Sequence, residues 1–346
     1  MTDKNQALRI LDANRNRGCE ALRTIEEYFR FAWDDSYLTE LTKCIRHDFN
    51  TAFAASGHTL LAMRDTDGDV GTNISTTTES SRASNRDVVE AAFSRLQQSL
   101  RVIEEYGKVV SEAVECELIE QLRYRCYQLH HSFASITAGR ERLTDARIYA
   151  IISGQESDED FDKYCTEIIH SGVDVIQLRD KDLPDRDLIA RGKHLRQILN
   201  TVDLPPLFIM NDRPDLAVLT GADGVHVGQD ELTVAETRSI VGPDLIIGVS
   251  THNITQVADA VREGANYIGC GPTFPSGTKS FDSFAGVSFL REVSERFQIP
   301  AFAIGGIDLN NIAEVVEAGF NRVAISGVLS TSVPQDVVSA LQPLLT

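Results

Sequence analysis

Two basic residues stand close together in one short polar segment of the sequence, and a third follows in a later segment. Arg179 and Lys181 lie in IQLRDKD (176–182), and Lys279 lies in GCGPTFPSGTKS (269–280). Guanidinium and ammonium groups bind phosphate oxygens through charge-assisted hydrogen bonds, and uncharged donors such as Asn211 and Ser250 can add to such a site. If these side chains converge, they form a binding site for one anion, such as a phosphate group. The alternative is a set of solvated surface charges.

Acidic residues occur in two further segments of the same kind. Asp212 directly follows Asn211 in FIMNDRPDLA (208–217), and Asp230 and Glu231 end GVHVGQDE (224–231). Mg²⁺ takes one or two protein carboxylates and completes its octahedral shell with water and substrate phosphate oxygens. The acidic residues therefore predict a magnesium site, although acids that cap helices would give the same pattern.

These polar segments follow short apolar stretches that have the length of β-strands. After Thr144 the stretches alternate with amphipathic helical segments, and eight of them are predicted strands: 147–153, 173–178, 206–211, 224–228, 245–250, 266–271, 300–305 and 322–327. Eight strands, each followed by a helix, predict an α/β protein with a closed (β/α)8 TIM barrel. An open doubly wound sheet is the alternative, but no G-x-G-x-x-G segment follows the first strand. In a barrel the polar segments meet at the carboxyl ends of the strands, where the active sites of this fold lie.

Glycine and hydroxyl residues follow the last three predicted strands. They are Ser276, Gly277 and Thr278 after the sixth strand, Gly305 and Gly306 at the end of the seventh, and Ile325 and Ser326 at the end of the eighth. Glycine lets a backbone approach an anion closely, and barrels commonly bind phosphate in the loops after the last two strands. The pattern predicts a phosphate ligand without saying which one.

The first part of the chain has a helical period instead. Leu22, Ile25 and Phe29 fall on one helix face, and the same spacing recurs over 93–100 and 118–133. The segment ALRTIEEY (21–28) returns as SLRVIEEY (99–106), which indicates an internal duplication, and the Ser/Thr-rich segment 74–84 between the copies is a predicted loop. We expect an all-helical domain at 1–142 and the barrel at 143–346.

The composition restricts the function and the location. The formal net charge of −18 argues against nucleic-acid binding, because a polyanion would be repelled. The chain has neither an apolar run that would cross a membrane nor a signal peptide, so we expect a cytoplasmic protein. The six scattered cysteines form no C-x-x-C pair and are expected to be reduced, mostly buried thiols.

Taken in order, the strand-end motifs of residues 147–345 resemble those of the thiamine-phosphate synthase family. The resemblance implies a magnesium-dependent transferase that joins a thiazole phosphate to an aminopyrimidine carrying a diphosphate, with release of diphosphate. Its partners would then be these two small molecules. It implies that Arg179, Lys181, Lys279, Asn211 and Ser250 bind the diphosphate, and that the loops after the last strands bind the thiazole phosphate. An additional amino-terminal helical domain is found in some members.

The same resemblance assigns roles to three more positions. Gln177 and His226 would border the pyrimidine ring, although a lone histidine on an apolar strand can also be a core residue. After G-Q-[DE] the family usually has an aspartate that binds the metal. This sequence has Glu231 there, so either Glu231 reaches the ion together with Asp212, which we favour, or Asp230 replaces it.

No motif residue resembles a nucleophile for covalent catalysis, because the one cysteine among them, Cys270, lies within an apolar strand. This favours a dissociative displacement that depends on electrostatic stabilisation of the leaving diphosphate. A related thiazole tautomerase and a phosphate-binding barrel without turnover are the alternatives, but a tautomerase would need neither the diphosphate-binding residues nor the acidic pair.

Two hypotheses remain for the helical domain. One is a packing or dimerisation module, through which the protein could form an oligomer. The other starts from RDTDGDVGT (64–72), where Arg64, Asp65, Asp67 and Asp69 could hold a metal–phosphate complex. In some synthases the extension is suspected to be a kinase that makes the pyrimidine diphosphate. His130 and His131 have no cysteine partners at metal spacing and are expected on the helix surface.

Overall fold

The computed structural model describes residues 2–66, 69, 81–275 and 284–345. It divides into two compact units, Met1–His131 and Ser132–Thr346. The division falls inside a long helix, whereas the sequence placed the boundary after that helix, at 142. No helix among the described residues is both long enough and apolar enough to cross a membrane.

The first unit is helical, as the sequence predicts. Its helices are α1 (Asp3–Phe31), α2 (Ser36–Thr51), α3 (Gly57–Ala62), α4 (Asn85–Gly107) and α5 (Cys116–Arg142), of which α5 continues into the second unit. The apolar faces seen in the sequence form the core, since Leu22, Ile25 and Phe29 are fully buried. Ser84 begins α4 with a capping box closed by Asp87, which satisfies backbone N–H groups at both positions.

The duplication in the sequence returns as two similar buried ion clusters. Glu26 in α1 accepts from Arg46 Nε at 2.6 Å and has Arg23 at 3.9 Å. Glu104, the matching residue in α4, accepts from Arg123 Nε at 2.8 Å and from Arg101 Nη1 at 2.7 Å. Both carboxylates are buried, so each copy relies on arginine to compensate a charge removed from water.

The expectation that His130 lies on the helix surface was wrong. Its ring stacks on Phe93, with 4.4 Å between the ring centroids and 9° between the planes. Its two nitrogens contact Glu90 Oε2 at 2.7 Å and Gln97 Nε2 at 3.1 Å, so His130 is part of the packing between α4 and α5. His131 is exposed, as expected.

The second unit is a closed parallel barrel with strand order β1 to β8. The strands are β1 (Ile148–Ile152), β2 (Val175–Leu178), β3 (Leu207–Asn211), β4 (Gly224–Val227), β5 (Ile246–Thr251), β6 (Tyr267–Cys270), β7 (Ala301–Ile304) and β8 (Val323–Ile325). The helices around it are α6 (Asp158–His170), α7 (Asp185–Leu199), α8 (Pro214–Thr220), α9 (Val234–Val241), α10 (Ile254–Glu263), α11 (Gly286–Arg296), α12 (Ile312–Glu317), α13 (Gly327–Thr331) and α14 (Pro334–Leu341). The pairing of β1 with β8 excludes the open doubly wound sheet.

Three aromatic rings fill the inside of the barrel. Phe302 meets Tyr149 edge to face at 5.2 Å between centroids and Tyr267 at 5.9 Å. Tyr267 fits because its neighbour in the register is Gly248, where an added Cβ would come within 2.0 Å of the Tyr267 ring.

Cys126, Cys165 and Cys270 are buried free thiols, and burial raises the pKa of each to about 12.

The buried carboxylates of the helical unit lead to a stability prediction. Glu104→Ala should lower the free energy of unfolding of this unit by about 3 kcal/mol, because Arg123 would keep a largely buried charge without its acceptor. Urea titration followed by fluorescence of Trp33, the one tryptophan of the chain, measures this change. The matched control is Glu105→Ala, whose 45% exposed carboxylate should contribute much less to this free energy. Equal losses in the two variants would contradict the assigned role of Glu104.

Candidate active site

The candidate residues of four consecutive strands meet at the carboxyl end of the barrel. Gln177 is in β2, Asn211 ends β3, His226 is in β4 and Ser250 is in β5. The register sets Asn211 opposite His226, and hydrogen bonds between backbones fix these neighbours in place. Arg179 and Lys181 follow β2, and Asp212 and Glu231 follow β3 and β4.

Lys181 bridges the two predicted metal ligands. Its Nζ lies 2.8 Å from Asp212 Oδ2 and 3.5 Å from Glu231 Oε1. The hydrogen bond to Asp212 raises the pKa of Lys181, and the charges of Asp212 and Glu231 act in the same direction. The two carboxylates therefore face one common point, and the ammonium group of Lys181 occupies it.

The backbone conformation of Asp212 helps to aim its carboxylate. Its φ of 58° lies in the left-handed region, which is uncommon for a residue with a Cβ. Its N–H donates to the His226 carbonyl at 2.8 Å, which holds this turn against the end of β4. A strained position of this kind is found more often at functional sites than elsewhere.

Of the two acidic residues after β4, Glu231 is the one that turns toward Asp212. Its carboxylate folds back over Gly228, where an added Cβ would lie 2.3 Å from Glu231 Oε2. Asp230 is exposed, and the structure gives it no ion pair with any described residue. The absence of a side chain at Gly228 is thus what allows Glu231 to reach the common point.

Arg179 is a cation at this end of the barrel that lacks an acidic partner among the described residues. Its backbone N–H donates to the Ile152 carbonyl at 2.8 Å, while its half-buried guanidinium has no ion pair with any residue that the structure describes. Sequence reasoning missed Asp180, which braces this loop: its carboxylate accepts from the N–H groups of Gly154, Asp182 and Leu183, each at 3.0 Å. An aspartate one residue after Arg179, with a proline to follow at 184, could have indicated such a turn.

A chain of buried and partly buried polar groups crosses the barrel below these charges. Gln177 Nε2 donates to the Tyr149 hydroxyl at 2.8 Å, and the Tyr149 and Tyr267 hydroxyls are 3.1 Å apart. The Tyr267 hydroxyl lies 3.2 Å from His226 Nδ1, and His226 Nε2 lies 3.0 Å from Ser250 Oγ. If both tyrosine hydroxyls donate along the chain, the hydrogen bonds run from Gln177 to Ser250, and the imidazole proton is on Nε2 and donates to Ser250 Oγ.

Sequence reasoning missed both tyrosines of this chain. They stand in apolar strands, RIYAI (147–151) and NYIGC (266–270), where a large ring reads as core. Their hydroxyl groups could have indicated this chain, because a buried tyrosine hydroxyl normally has a hydrogen-bond partner. The hydroxyls orient Gln177 and His226, which are the two predicted pyrimidine contacts.

The glycines after β7 are required by close packing. Gly305 and Gly306 have φ of 99° and 64°. An added Cβ would lie 2.7 Å from Pro272 Cα at the first and 2.5 Å from the Pro275 carbonyl oxygen at the second. The predicted phosphate residues Ser276, Gly277 and Thr278, and the cation Lys279, lie outside the described residues.

The end of β8 contributes one hydroxyl to this region. Ile325 is the last residue of β8 and is buried. Ser326 Oγ donates to the Ile151 carbonyl at 3.0 Å, which ties the end of β8 to β1. Because β7 and β8 are neighbours, Gly305 and Ser326 follow adjacent strand ends.

In the helical unit, the motif at 64–72 is partly occupied by internal ion pairs. Arg64 forms a bidentate salt bridge with the buried Asp12, in which Nε donates to Oδ2 at 2.8 Å and Nη2 donates to Oδ1 at 3.0 Å. Arg9 Nη2 lies 3.3 Å from Asp65 Oδ2. Asp67 lies outside the described residues. Over the described part of the chain no group of three potential metal ligands was found. The kinase hypothesis therefore stays a prediction from the sequence.

The fold and the site together define a class. A closed (β/α)8 barrel that gathers cations and carboxylates at the carboxyl ends of its strands is an enzyme architecture suited to phosphorylated ligands. Residues 148–329 match the family "Thiamine monophosphate synthase", and residues 9–132 match the ThiD2 family.

Individual relatives give the same result. The chain is 47% identical to the thiamine-phosphate synthase of Rhodopirellula baltica, over 95% of this chain and 89% of that one. It is 39% identical to the synthase of Synechocystis, over 96% and 94% of the two chains. The structure of thiamine phosphate pyrophosphorylase from Pyrococcus furiosus superposes with a TM-score of 0.50 at 29% identity, covering 60% of this chain and 96% of that one. The chain belongs to the thiamine-phosphate synthase family and is a transferase.

The partly buried histidine of this site leads to a prediction about pH. Burial lowers the pKa of His226 from 6.5 to about 4. The unfolded chain therefore binds a proton that the folded barrel resists, and stability present above pH 6.5 is lost as the pH falls toward 4. Between pH 7 and pH 5, His226→Gln should lose about 1–2 kcal/mol less stability than the unmodified protein.

Urea unfolding of the barrel at the two pH values, followed by near-ultraviolet circular dichroism of the tyrosines, measures this difference. His170→Gln, which removes an exposed histidine from α6, is the matched control and should behave like the unmodified protein. An identical loss of stability on acidification in all three proteins would show that His226 is not a neutral buried group.

Proposed function

We propose that this chain condenses an aminopyrimidine that carries a diphosphooxymethyl group with a thiazole phosphate, which gives thiamine phosphate and diphosphate. One observation carries the proposal: Lys181 lies at the point where the carboxylates of Asp212 and Glu231 converge. When an anion and a divalent metal ion enter this site together, Lys181 can pair with the anion and the two carboxylates can bind the metal ion. The family membership supplies the substrates.

The donor set at that point fits Mg²⁺. Two carboxylates on neighbouring strand ends leave the remaining positions of an octahedral shell to water and phosphate oxygens. Asp212 and Glu231 would hold the ion, and Asp230, which points into solvent, would not. When bound, Mg²⁺ supplies charge neutralisation for the leaving diphosphate. Lys181, released from the carboxylates, then donates to the same diphosphate together with Arg179 and Lys279.

The buried polar chain supports a role for Gln177 and His226 at the pyrimidine. Gln177 donates to Tyr149, and its Oε1 remains as an acceptor for the exocyclic amine of the ring. His226 is uncharged at neutral pH, because burial lowers its pKa to about 4. A neutral imidazole adds no positive charge beside a ring that develops carbocation character. Asn211 and Ser250 flank these two residues at the ends of β3 and β5 and would contact the diphosphate.

The thiazole phosphate would bind where β7 and β8 end. Gly305 and Gly306 lie at this edge in left-handed conformations, and Ser326 lies at the next strand end. Backbone N–H groups and a hydroxyl are suited to a phosphate monoester. The residues assigned to this phosphate are Ser276, Gly277, Thr278, Gly305, Gly306, Ile325 and Ser326.

The reaction needs no covalent intermediate with the protein. The bond between the pyrimidine methylene and the diphosphate oxygen breaks, and its electron pair leaves with the diphosphate. The thiazole nitrogen then donates its lone pair to the methylene carbon and forms the new C–N bond. The work of Arg179, Lys181 and Lys279 is to stabilise the charge that develops on the leaving group. The work of the two phosphate sites is to hold the reacting atoms in line.

Lys181→Ala should reduce turnover by about 10²-fold or more, the usual scale for loss of one such donor. The measurement is diphosphate release with both substrates at saturating Mg²⁺. Lys163→Ala, which removes an exposed ammonium from α6, is the control and should retain full activity. The assay also separates the alternatives, since a tautomerase or a non-catalytic barrel would release no diphosphate. Near-normal turnover of Lys181→Ala would exclude the proposed role.

The metal site has its own test. Replacement of both Asp212 by Asn and Glu231 by Gln should abolish the Mg²⁺ dependence of the activity, because both carboxylate ligands are lost. The control is Asp230→Asn, which removes the neighbouring exposed carboxylate and should leave the Mg²⁺ titration unchanged. If the double variant keeps the original titration and Asp230→Asn does not, the ligand assignment is wrong.

A further inference from the structure

A cavity lies in the barrel unit, at the end opposite to the candidate active site. Its volume is about 410 Å³, which is within the range of small-molecule sites. It is lined by the end of α5 at Arg140, the end of α11 at Val293, the start of β7 at Ala301 and the residue before β8, Arg322. Since the strands begin here, the site described above, where the strands end, is on the far side of the barrel.

The charge of Arg322 is not compensated by any carboxylate that the structure describes. Its Nη1 donates to Asn321 Oδ1 at 3.1 Å and its Nη2 to the Leu143 carbonyl at 3.4 Å. Its Nε is buried and has no hydrogen-bond partner. Burial lowers the pKa of this guanidinium to about 10, and the nearby charges that add to this effect, Arg147 and Arg140, are also positive.

This arrangement is unusual in a chain with a net charge of −18. Buried charges are normally paired, because an unpaired one loses solvation without gaining an ion pair. The hydrogen bond from Arg322 to the Leu143 carbonyl could be made equally well by a neutral donor. This hydrogen bond therefore does not explain why a charged residue is present. Two further arginines beside Arg322 increase the repulsion. A bound anion would relieve it.

The walls of the cavity indicate what kind of anion it takes. Val293, Ile299 and Phe320 provide apolar surface, and Ser294 and Gln298 are polar residues of the same lining. The planar donors of arginine match phosphate oxygens in pairs. A ligand with a phosphate at one end and a compact apolar body at the other would satisfy both parts of the cavity.

We propose that the cavity at Arg322 is a second anion site, which binds a small organic phosphate at the amino-terminal end of the barrel. Arg322 and Arg140 bind the phosphate, Arg147 adds to the positive potential, and the apolar walls take the body of the ligand. The site is separate from the reaction at the other end, so it does not depend on the residue roles proposed there.

The test uses the full chain and inorganic diphosphate as the probe in isothermal titration calorimetry. The unmodified protein should bind one equivalent more than Arg322→Gln does, and the turnover of Arg322→Gln should stay within twofold of the original. Arg262→Gln is the matched control: Arg262 also lies near the end of a barrel helix but is exposed and paired with Asp259. This variant should bind as many equivalents as the unmodified protein.

Two further variants are measured in the same titration. Lys181→Ala should lose binding at the active-site end only, so a result there bears on the proposed function and not on this cavity. If Arg322→Gln does not fold, Arg140→Gln replaces it and should weaken binding of the additional equivalent by about tenfold, the scale of one charged hydrogen bond. Equal stoichiometry and affinity in the unmodified protein and in the variants at 322 and 140 would overturn the proposal.

Discussion

The hydrogen bonds between β1 and β8 are the constraint on which the rest of the barrel depends. They close a sheet of eight parallel strands, so that every strand runs in the same direction and every carboxyl end lies on the same rim. Residues that are far apart in the chain then become neighbours by register alone. Asn211 stands beside His226 for this reason, and the ends of β7 and β8 bring Gly305 near Ser326. Without this pairing, the same strand order would leave β1 and β8 at opposite edges of an open sheet.

On this rim the site is organised by charge. An acidic protein that handles phosphate needs a local excess of cations, and Arg179 with Lys181 provides it on one loop. That loop is held by Asp180, whose carboxylate accepts three backbone N–H groups and therefore acts on the turn and not on a ligand. The opposing carboxylates of Asp212 and Glu231 keep Lys181 in place. Below them, the uncharged chain from Gln177 to Ser250 supplies hydrogen bonds where a further charge would be costly to bury.

The two units solve the burial of polar groups in different ways. In the helical unit the buried groups are charged, and each repeat pairs one glutamate with arginines. In the barrel the interior polar groups are hydroxyl, amide and imidazole, and they satisfy one another in a line. Arg322 differs from these interior groups, because it is a half-buried cation that donates to an amide oxygen and a carbonyl oxygen and leaves its Nε without a hydrogen-bond partner. That difference is the reason to look for an anion at the far end of the barrel.

The sequence by itself determined the two architectures, because the helical period and the short apolar strands are local patterns set by neighbouring residues. It also determined which segments end at the rim, since each polar motif directly follows its own strand. Tertiary structure alone decided which of these groups touch. Lys181 meets Glu231 across 50 positions, and Tyr149 meets Tyr267 across 118. It also placed His130 inside a helix interface and Arg322 against Leu143, 179 positions away. Such contacts depend on barrel closure and helix packing, which no local pattern of residue types encodes, so the chain must be folded before they can be read.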